Sequence, residues 1–355
     1  MKKWLVRILI IIIGLLIALP VLLIVTGLAD RIVERAIEKR IYRVDNSVLT
    51  DPGIHILMAG TGTPNYDPIR NPICVALIAG GEFMLFDVGD GCTRTLDSMD
   101  MPINQIKTVF FTHFHSDHMD GLGQLIAFTW VQGRKAPVHV YGPPGVENVV
   151  NGFALAAIED IKIRANPRAL APLNPEFAVG IPHKFNYPED GTPIVVWQKN
   201  GVVVKAFKNN HYDVEVSCGY RIEYKNRVVV LSGDTVKSDF VIQNAKAADI
   251  LIHEAFNPDM VRTAIKIFRD TGTPEGIWKA DHITKVVKHH INTLDVAEVA
   301  QAAGVGKLVL YHIGPGIPDN WLMNRQYKAG MSDIYPGPII VSKDKDRFYL
   351  EPGEI

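Results

Sequence analysis

The sequence predicts an α/β domain that follows an apolar N-terminal helix. Short aliphatic and β-branched strands alternate with helical stretches from residue 53 onward, and several of these strands end in His or Asp. Ahead of them lies an uncharged run long enough to cross a bilayer. We therefore divide the chain into a transmembrane signal anchor at residues 1–29, a juxtamembrane helix or linker at 30–50, and a globular domain at 51–355.

Length and charge limit the class of protein. The chain has 355 residues, enough for one large or two ordinary domains with a substantial core. The formal net charge of −1 gives no basic excess of the kind that marks nucleic-acid-binding domains. The three cysteines, Cys74, Cys92 and Cys218, show no CxxC spacing, so at most one disulfide could form and a disulfide scaffold is excluded.

The apolar run covers residues 8–29 and contains 22 residues without a charge, which is the length of a membrane-spanning helix. A cleaved signal peptide would have a shorter apolar region, although Gly27-Leu28-Ala29 is a candidate cleavage site. Length therefore favours an uncleaved anchor. The next stretch, residues 30–43, repeats apolar residues at helical spacing and predicts an amphipathic helix with a solvated charged face.

Basic residues on the two sides of the run predict opposite orientations. Lys2, Lys3 and Arg7 precede it, whereas five basic residues follow it within residues 30–43. Basic counts alone would place the C-terminal side in the cytoplasm. A short basic tail ahead of a large domain favours export, so we expect a single-pass protein whose domain lies outside the cytoplasm, in the periplasm or at the cell surface.

The densest cluster of chemically active residues follows a predicted buried strand at residues 106–111. Three histidines and an aspartate, His113, His115, Asp117 and His118, fall within six positions. Imidazole and carboxylate are ligands for Zn, Mn or Fe, and the lack of a nearby cysteine argues against a closed structural zinc site. The first two histidines can face one metal, and Asp117 and His118 can face a second.

Further His, Asp and Glu residues come directly after strands downstream. Predicted strands at 202–207, 227–231, 250–252 and 307–311 are followed by His211, Asp234, Glu254 and His312, respectively. A single ligand-type residue after a strand would mean little, but four of them after successive strands indicate a common site.

The remaining elements surround these strands. Strands are predicted at 54–58, 74–79, 82–86 and 137–141, and helices at 93–100, 121–132, 149–161, 260–270 and 294–303. Residues 335–350 read as a loop and a final strand pair. Residues 146–201 form a long, Pro-rich insertion that could act as a lid. His183 has no predicted strand to present it, and His139 lies mid-strand in a structural position.

The pattern His-x-His-x-Asp-His after a hydrophobic strand resembles the signature of the metallo-β-lactamase superfamily. This resemblance spans residues 54–313 and implies a four-layer αββα fold. The segment Gly60-Thr61-Gly62-Thr63-Pro64, followed by Arg70-Asn71, is similar to the opening of the tRNase Z and arylsulfatase branch.

The resemblance also implies roles for the strand-end residues. One metal would be bound by His113, His115 and His211, and the other by Asp117, His118 and His312. Asp234 would bridge two divalent ions, most commonly Zn, with Mn or Fe as alternatives. The two ions would share an attacking hydroxide, and Asp117 would also help to position it.

Three residues outside the metal ligands complete the implied site. Asp87 would support the histidine loop from behind the ligands. Glu254 and His290 would act at the leaving group, His290 stabilising or protonating the leaving oxygen and Glu254 orienting it. The match to His290 is imperfect, so His289 and His282 remain alternatives.

The implied function is a membrane-anchored two-metal hydrolase of phosphodiesters or sulfate esters. Lactone, other ester or amide hydrolysis is an alternative within the superfamily, and a binding module with a relic metal site is an alternative of another class. We expect a small-molecule ester substrate and, by resemblance, a dimer. We do not expect tRNA as a partner, because only 23 positions separate His211 from Asp234, too few for a tRNA-gripping arm, and the net charge is near zero.

Overall fold

The computed structural model describes residues 2–41, 43–212 and 214–354. They divide into two compact units, Met1–Asp45 and Asn46–Ile355. The first unit holds helices α1 (Lys2–Val25) and α2 (Leu28–Ile41). Gly27 separates them with a φ of +68°, a conformation that glycine adopts without strain.

Helix α1 ends before the predicted apolar run does. It ends at Val25 rather than near residue 29, because the chain turns at Gly27. Within the described residues, Arg7–Val25 is the one helical stretch long and apolar enough to cross a membrane, on length and composition alone. A signal sequence satisfies the same criterion, so membrane anchoring stays a prediction.

The second unit is built from two β-sheets. Its described strands are β1 (Ile54–Gly60), β2 (Cys74–Ala79), β3 (Glu82–Phe86), β4 (Ile106–Phe110), β5 (Val138–Gly142), β6 (Gly180–Lys184), β7 (Ile194–Lys199), β8 (Val202–Lys208), β9 (Cys218–Tyr224), β10 (Arg227–Leu231), β11 (Ile250–Phe256), β12 (Leu308–Gly314), β13 (Ile339–Val341) and β14 (Arg347–Leu350).

Helices connect these strands. They are α3 (Cys92–Ser98), α4 (Ser116–Met119), α5 (Leu122–Val131), α6 (Val146–Ala156), α7 (Ile158–Arg164), α8 (Asp239–Asn244), α9 (Pro258–Asp270), α10 (Pro274–Val286), α11 (Thr293–Ala303), α12 (Trp321–Tyr327) and α13 (Met331–Ile334).

Each sheet contains seven strands, and the order explains where the site forms. The first sheet runs β14-β1-β2-β3-β4-β5-β6 and the second runs β13-β12-β11-β10-β9-β8-β7. Strands β3 to β6 are mutually parallel, as are β10 to β13. Because parallel strands end at the same edge of a sheet, the loops after β3 and β4, and after β10 to β12, gather at two sheet edges.

Three hydrophobic cores show the layering. One lies between the two sheets and includes Phe86, Phe110 and Tyr220. A second lies between the first sheet and helices α3, α5 and α6, and a third between the second sheet and α8, α11 and α13. The predicted two-sheet α/β fold with helices on its outer faces is therefore confirmed.

Residues 146–201, predicted to be an irregular insertion that could act as a lid, contribute regular elements to the fold. Their helix α6 packs on β5 and β6, and the segment then supplies an edge strand to each sheet, β6 and β7. His183 lies on β6, contrary to the prediction that no strand presents it, and its Nε2 is 2.8 Å from Nδ1 of His139.

Two other predictions at the level of elements need correction. The last two strands are not a pair, because β13 joins the second sheet beside β12 whereas β14 joins the first beside β1. Helix α10 was not predicted, although Thr273 caps it by accepting a hydrogen bond from the Gly276 amide and Pro274 occupies its first turn. The three cysteines are buried and free.

Candidate metal centre

Hydrogen bonds connect the residues after β4, in the first sheet, to the beginning of β9, in the second sheet. The Cys218 amide donates to the Thr112 carbonyl at 3.0 Å, and the Tyr220 hydroxyl donates to the Phe111 carbonyl. These cross-sheet bonds hold the histidine loop after β4 against the second sheet. Ligand-type residues from both sheets can therefore converge there.

The first cluster comes from both sheets. Its ligand atoms lie within 4.8 Å of one another and belong to His113, His115, His211 and Asp234. Nε2 of His113 is 2.9 Å from Nδ1 of His115, and Nε2 of His211 is 3.4 Å from the same Nδ1. Three imidazole nitrogens directed at one point are a suitable ligand set for a divalent cation.

The second cluster lies beside the first. It consists of Asp117, His118 and His312, again with ligand atoms within 4.8 Å of one another. Nε2 of His312 is 3.3 Å from Oδ2 of Asp117, and Nε2 of His118 is 3.7 Å from that oxygen. All three side chains are buried, whereas His115 of the first cluster is exposed and marks the open side of the site.

Asp234 belongs to the first cluster and also contacts the second. Its Oδ2 is 3.4 Å from Nε2 of His118 and 3.3 Å from Nε2 of His312. The carboxylate therefore lies between the two clusters, where two oxygens could serve two cations.

Three histidines are oriented by partners on their outward nitrogens. The Nδ1 atoms of His113, His118 and His211 are 3.0 Å from Thr112 Oγ1, 2.8 Å from Asp87 Oδ2 and 3.1 Å from the His289 carbonyl oxygen, respectively. In each case Nε2 is left to face the cluster. Such outer hydrogen bonds fix the ring and tautomer of a metal-binding histidine.

His312 reaches the site through a bulge in β12. The register between β11 and β12 shifts after Glu254, and His312 has a φ of +48°. Non-glycine residues rarely adopt this conformation, and bulges that re-aim a side chain are frequent at functional sites. The sequence had predicted that β12 ends before His312, whereas the strand continues to Gly314.

Burial keeps three of the histidines neutral. It lowers the pKa of His113 well below its usual range, lowers the pKa of His115, and lowers the pKa of His211 to about 4. At neutral pH these rings are therefore uncharged, which is the form that binds metal.

In the second cluster, nearby carboxylates outweigh the effect of burial on a histidine pKa. Burial opposes charge on His118, but the carboxylates of Asp234, Asp87 and Asp117 outweigh it and raise the pKa of His118 well above its usual range. Burial alone would raise the pKa of Asp234, yet the rings of His312 and His118 hold it well below the ordinary value. The same carboxylate charges that favour a proton on His118 would favour a bound cation.

The residues fit a pair of divalent cations. Five histidines and two aspartates supply nitrogen and oxygen donors in adjoining clusters. Among the described residues, His118 Nε2 and Asp234 Oδ1 are buried polar atoms that face the clusters and have no hydrogen-bond partner. Buried polar atoms of native proteins are nearly always paired, so a bound cation accounts for both.

Glu254 and His290 form a hydrogen-bonded pair beside Asp234. The distance from His290 Nδ1 to Glu254 Oε2 is 2.7 Å, and that from His290 Nδ1 to Asp234 Oδ2 is 3.9 Å. Burial, followed by the charge of Asp234, raises the pKa of Glu254 well above its usual range, and burial lowers the pKa of His290. Both shifts favour the uncharged form of the group concerned.

The three candidate histidines of this region lie in different places. His290 contacts Glu254, and its ring stacks on Phe256 with centroids 4.6 Å apart. His289 instead directs Nδ1 at the Tyr212 carbonyl oxygen, at 2.8 Å. His282 lies on α10, stacked on Trp278. Of the three, His290 has the geometry that was predicted, and its catalytic role stays a prediction.

Sequence reasoning missed two residues that organise the site. Thr112 donates its amide to Asp87 Oδ1 and its hydroxyl to Asp87 Oδ2, both at 2.8 Å. Asn209 donates its side-chain amide to the carbonyl oxygens of Ser232 and Asp234. Both precede a ligand-type histidine by one or two positions, and this adjacency was the available signal.

A two-sheet α/β fold whose strand ends hold two such clusters defines a metallo-β-lactamase-fold metal-dependent hydrolase. Residues 54–266 match the family model described as Anti-Pycsar protein Apyc1, so the chain belongs to that family. It is also 30% identical over 306 residues to ribonuclease Z of Mycobacterium bovis (strain BCG / Pasteur 1173P2), which covers 84% of this chain and 99% of the relative.

Solved structures share the fold at lower identity. The metallo-beta-lactamase fold protein YhfI from Bacillus subtilis covers 84% of this chain and 99% of its own, with a TM-score of 0.58 and 18% identity. The short form of human tRNase Z covers 83% of this chain and 98% of its own, with a TM-score of 0.57 and 21% identity. The prediction of a metal-dependent hydrolase of this superfamily is confirmed, which disfavours a non-catalytic binding module.

The prediction that tRNA is not a partner is wrong. Relatives matched over nearly their whole length are named ribonuclease Z, and a solved neighbour is a tRNase Z. The prediction relied on the net charge and the short connection from His211 to Asp234, which the structure fills with a loop, β9 and β10. Net charge describes the whole chain, whereas phosphate recognition depends on local charges, so neither observation excludes tRNA.

Proposed function

We propose that this chain is a two-metal phosphodiesterase that cleaves phosphodiester bonds of RNA. The observation that carries the proposal is the Glu254–His290 pair, at 2.7 Å, next to Asp234 and the two ligand clusters. Metal ions activate water and stabilise the phosphoryl group, but a diester also needs a group that serves its leaving oxygen. The ribonuclease Z relatives, at 29–30% identity, support RNA as the substrate class.

The metal sites in this proposal follow the two clusters. One divalent ion, Zn in the first instance, would be held by His113, His115 and His211, and the other by Asp117, His118 and His312. Asp234 would bind both. When bound, the ions supply Lewis acidity to the phosphoryl oxygens and lower the pKa of water.

Three further roles fall to protein residues: charge compensation, orientation of the attacking water and proton transfer to the leaving oxygen. Asp234, with its low pKa, stays ionised between the clusters and compensates cationic charge. Asp117, a buried carboxylate of the second cluster, orients the attacking water. Because Glu254 contacts Nδ1 of His290, Nε2 is the nitrogen available to donate a proton to the leaving oxygen.

The test uses the full-length chain in a mild detergent, loaded with Zn or Mn. Hydrolysis of bis-p-nitrophenyl phosphate, p-nitrophenyl sulfate, a lactone and a cephalosporin is measured side by side, together with cleavage of a 3′-extended tRNA. We expect the diester and the RNA to be hydrolysed. Asp234→Ala should abolish both activities, whereas Asp160→Ala, which removes an exposed carboxylate on α7, should not.

Preference for the sulfate ester would instead make the protein an arylsulfatase, and preference for the lactone would move it to another branch. If wild type and Asp234→Ala hydrolyse the diester equally, the metal-centre proposal is wrong. Diester hydrolysis without RNA cleavage would retain the phosphodiesterase and reject RNA as its substrate. A chelator should remove activity, and re-addition of metal should restore it in the wild type alone.

We further propose that α1 anchors the protein in a membrane, on the basis of the length and apolar composition of its Arg7–Val25 part. Full-length protein should remain in the membrane pellet after alkaline extraction, and replacing Leu15 and Leu16 with Asp should release it. Release of the wild type would contradict anchoring. Protease treatment of intact cells then tests the predicted location outside the cytoplasm, since an external domain is degraded and an internal one is protected.

A further inference from the structure

The loop that follows His211 carries Tyr212, whose backbone is connected to the candidate metal centre by hydrogen bonds. The Tyr212 carbonyl oxygen lies 2.8 Å from Nδ1 of His289, and the His289 carbonyl oxygen lies 3.1 Å from Nδ1 of His211. Tyr212 is thus joined to the site through the chain, as the neighbour of a ligand-type residue, and through His289. These two connections fix the Tyr212 backbone relative to the ligand clusters.

The tyrosine ring is largely open to solvent. Its side chain is 64% exposed, although an aromatic ring gains free energy from being covered. The ring meets His289 edge to face, with centroids 5.7 Å apart and planes at 78°. Whichever ring supplies the edge, at least one face of Tyr212 is left uncovered by His289. The residue that follows His211 therefore presents an aromatic face to solvent.

The group that would cover this face follows from the chemistry of the substrate. A phosphodiester of a nucleotide carries a flat, aromatic base one sugar away from the phosphorus. Unpaired bases stack on exposed Tyr and His side chains, and each stack contributes roughly 1–3 kcal/mol to binding. A phosphodiester without a base has nothing comparable to place there.

We propose that Tyr212, supported by His289, stacks on the nucleobase next to the scissile phosphodiester and so selects nucleotide substrates over simple diesters. This inference rests on the proposed phosphodiesterase activity and adds the residue that recognises the substrate. Tyr212 acts in substrate binding and takes no part in bond cleavage. A planar ring is required at this position, and the hydroxyl group is not.

Two substrates with the same leaving group separate recognition from chemistry. Thymidine 5′-p-nitrophenyl phosphate carries a base, and methyl p-nitrophenyl phosphate does not. In the full-length metal-loaded protein, Tyr212→Leu should lower kcat/KM for the thymidine diester about tenfold and leave the methyl diester within about twofold. Tyr212→Phe should preserve both, and Tyr349→Leu, on edge strand β14, is a matched control that should change neither.

A binding measurement tests the same contact without turnover. Titration calorimetry with thymidine 5′-monophosphate should show about tenfold weaker binding to Tyr212→Leu than to wild type, at equal metal content, whereas methyl phosphate should bind both equally. A short single-stranded RNA tests the polynucleotide as the source of the base. If Tyr212→Leu weakens binding of this RNA as well as of thymidine 5′-monophosphate, the base of a polynucleotide makes the same contact; an RNA that binds both proteins equally would restrict the contact to free nucleotides.

The outcomes distinguish this inference from the function on which it rests. If wild type hydrolyses neither diester, the phosphodiesterase proposal is wrong and the inference with it. If wild type hydrolyses both and Tyr212→Leu leaves the thymidine diester unchanged, only base stacking is wrong. An equal loss on both diesters would also overturn it, because Tyr212 would then position His211 rather than contact a base.

Discussion

The Nδ1 atom of His290 lies 2.7 Å from Oε2 of Glu254, although 36 positions of sequence separate the two residues. Glu254 lies within β11, and His290 follows the helical pair α9 and α10. Phe256, two residues after Glu254, stacks on the His290 ring and limits its rotation. The pair is therefore held rigidly next to Asp234, which suits a group that must meet a leaving oxygen.

Replacing His290 tests whether this pair serves catalysis. His290→Ala should lower kcat on a diester by roughly 10²–10⁴-fold, the usual effect of losing a general acid or base. Metal content, measured by elemental analysis, should be unchanged, because seven other residues form the two clusters. His282→Ala removes an exposed histidine on α10 and should have no effect. Loss of one metal ion in His290→Ala would show that His290 is a ligand instead.

The contact between Asp87 and His118 predicts a different phenotype. Asp87 Oδ2 lies 2.8 Å from His118 Nδ1, and both oxygens also accept hydrogen bonds from Thr112. Asp87→Asn should weaken metal binding by roughly 10–100-fold, because the ring of His118 loses its charged partner. Competition with a chromophoric chelator measures this, and excess metal should restore activity.

The exposed neighbour Asp90 offers a matched control for that experiment. Asp90→Asn should bind metal like the wild type. Equal metal affinity in Asp87→Asn and Asp90→Asn would contradict the role assigned to Asp87. Failure of excess metal to restore activity would indicate that Asp87 acts on turnover as well.

The sequence predicted those site residues whose position depends only on their near neighbours in the chain. His113 to His118 are adjacent in the chain, and each later residue follows a recognisable aliphatic strand, so their convergence needs only parallel strand ends. His289 and His290 could not be separated this way. They are consecutive, and the backbone turn before α11 decides which ring faces Glu254.

What could not be predicted depends on pairing between distant segments. β13 and β14 read alike as short strands near the C-terminus, yet each adds to a different sheet. The bulge at His312 exists only in relation to β11, whose register it breaks. Residues 146–201 appeared irregular because their strands β6 and β7 lie at sheet edges, where one strand neighbour suffices and the alternation of apolar residues is weak.

A buried arginine far from these clusters should matter for stability alone. Arg134 is 1% exposed; its Nε donates to Thr129 Oγ1 at 2.9 Å and its Nη2 to the Ile126 carbonyl oxygen at 2.9 Å, at the C-terminal part of α5. Arg134→Met should reduce the free energy of unfolding by roughly 1.5–3 kcal/mol, since buried acceptors lose a charged donor. Denaturant unfolding measures this, with the exposed neighbour in Lys135→Met as the control. Equal stabilities would contradict the role.

Asp344 should make the stability of the domain depend on pH. Its carboxylate accepts hydrogen bonds from the Thr61 hydroxyl and the Asn71 amide, both at 2.8 Å, but burial outweighs them and raises the pKa of Asp344 to about 6. A carboxyl group whose pKa is raised on folding favours the folded state fully below its unfolded pKa of 3.8, and that contribution is lost as pH rises through about 6.

The free energy of unfolding of Asp344→Asn should therefore increase relative to wild type between pH 4 and pH 6.5, by roughly 3 kcal/mol at most. Urea unfolding in the presence of a chelator measures the difference, because titration of the metal-centre histidines then cancels between the two proteins. For Glu351→Gln, at an exposed position, the difference in the free energy of unfolding from wild type should not change with pH. The opposite slope for Asp344→Asn would mean that the buried guanidinium of Arg70, which favours the charged form, outweighs burial and keeps Asp344 ionised.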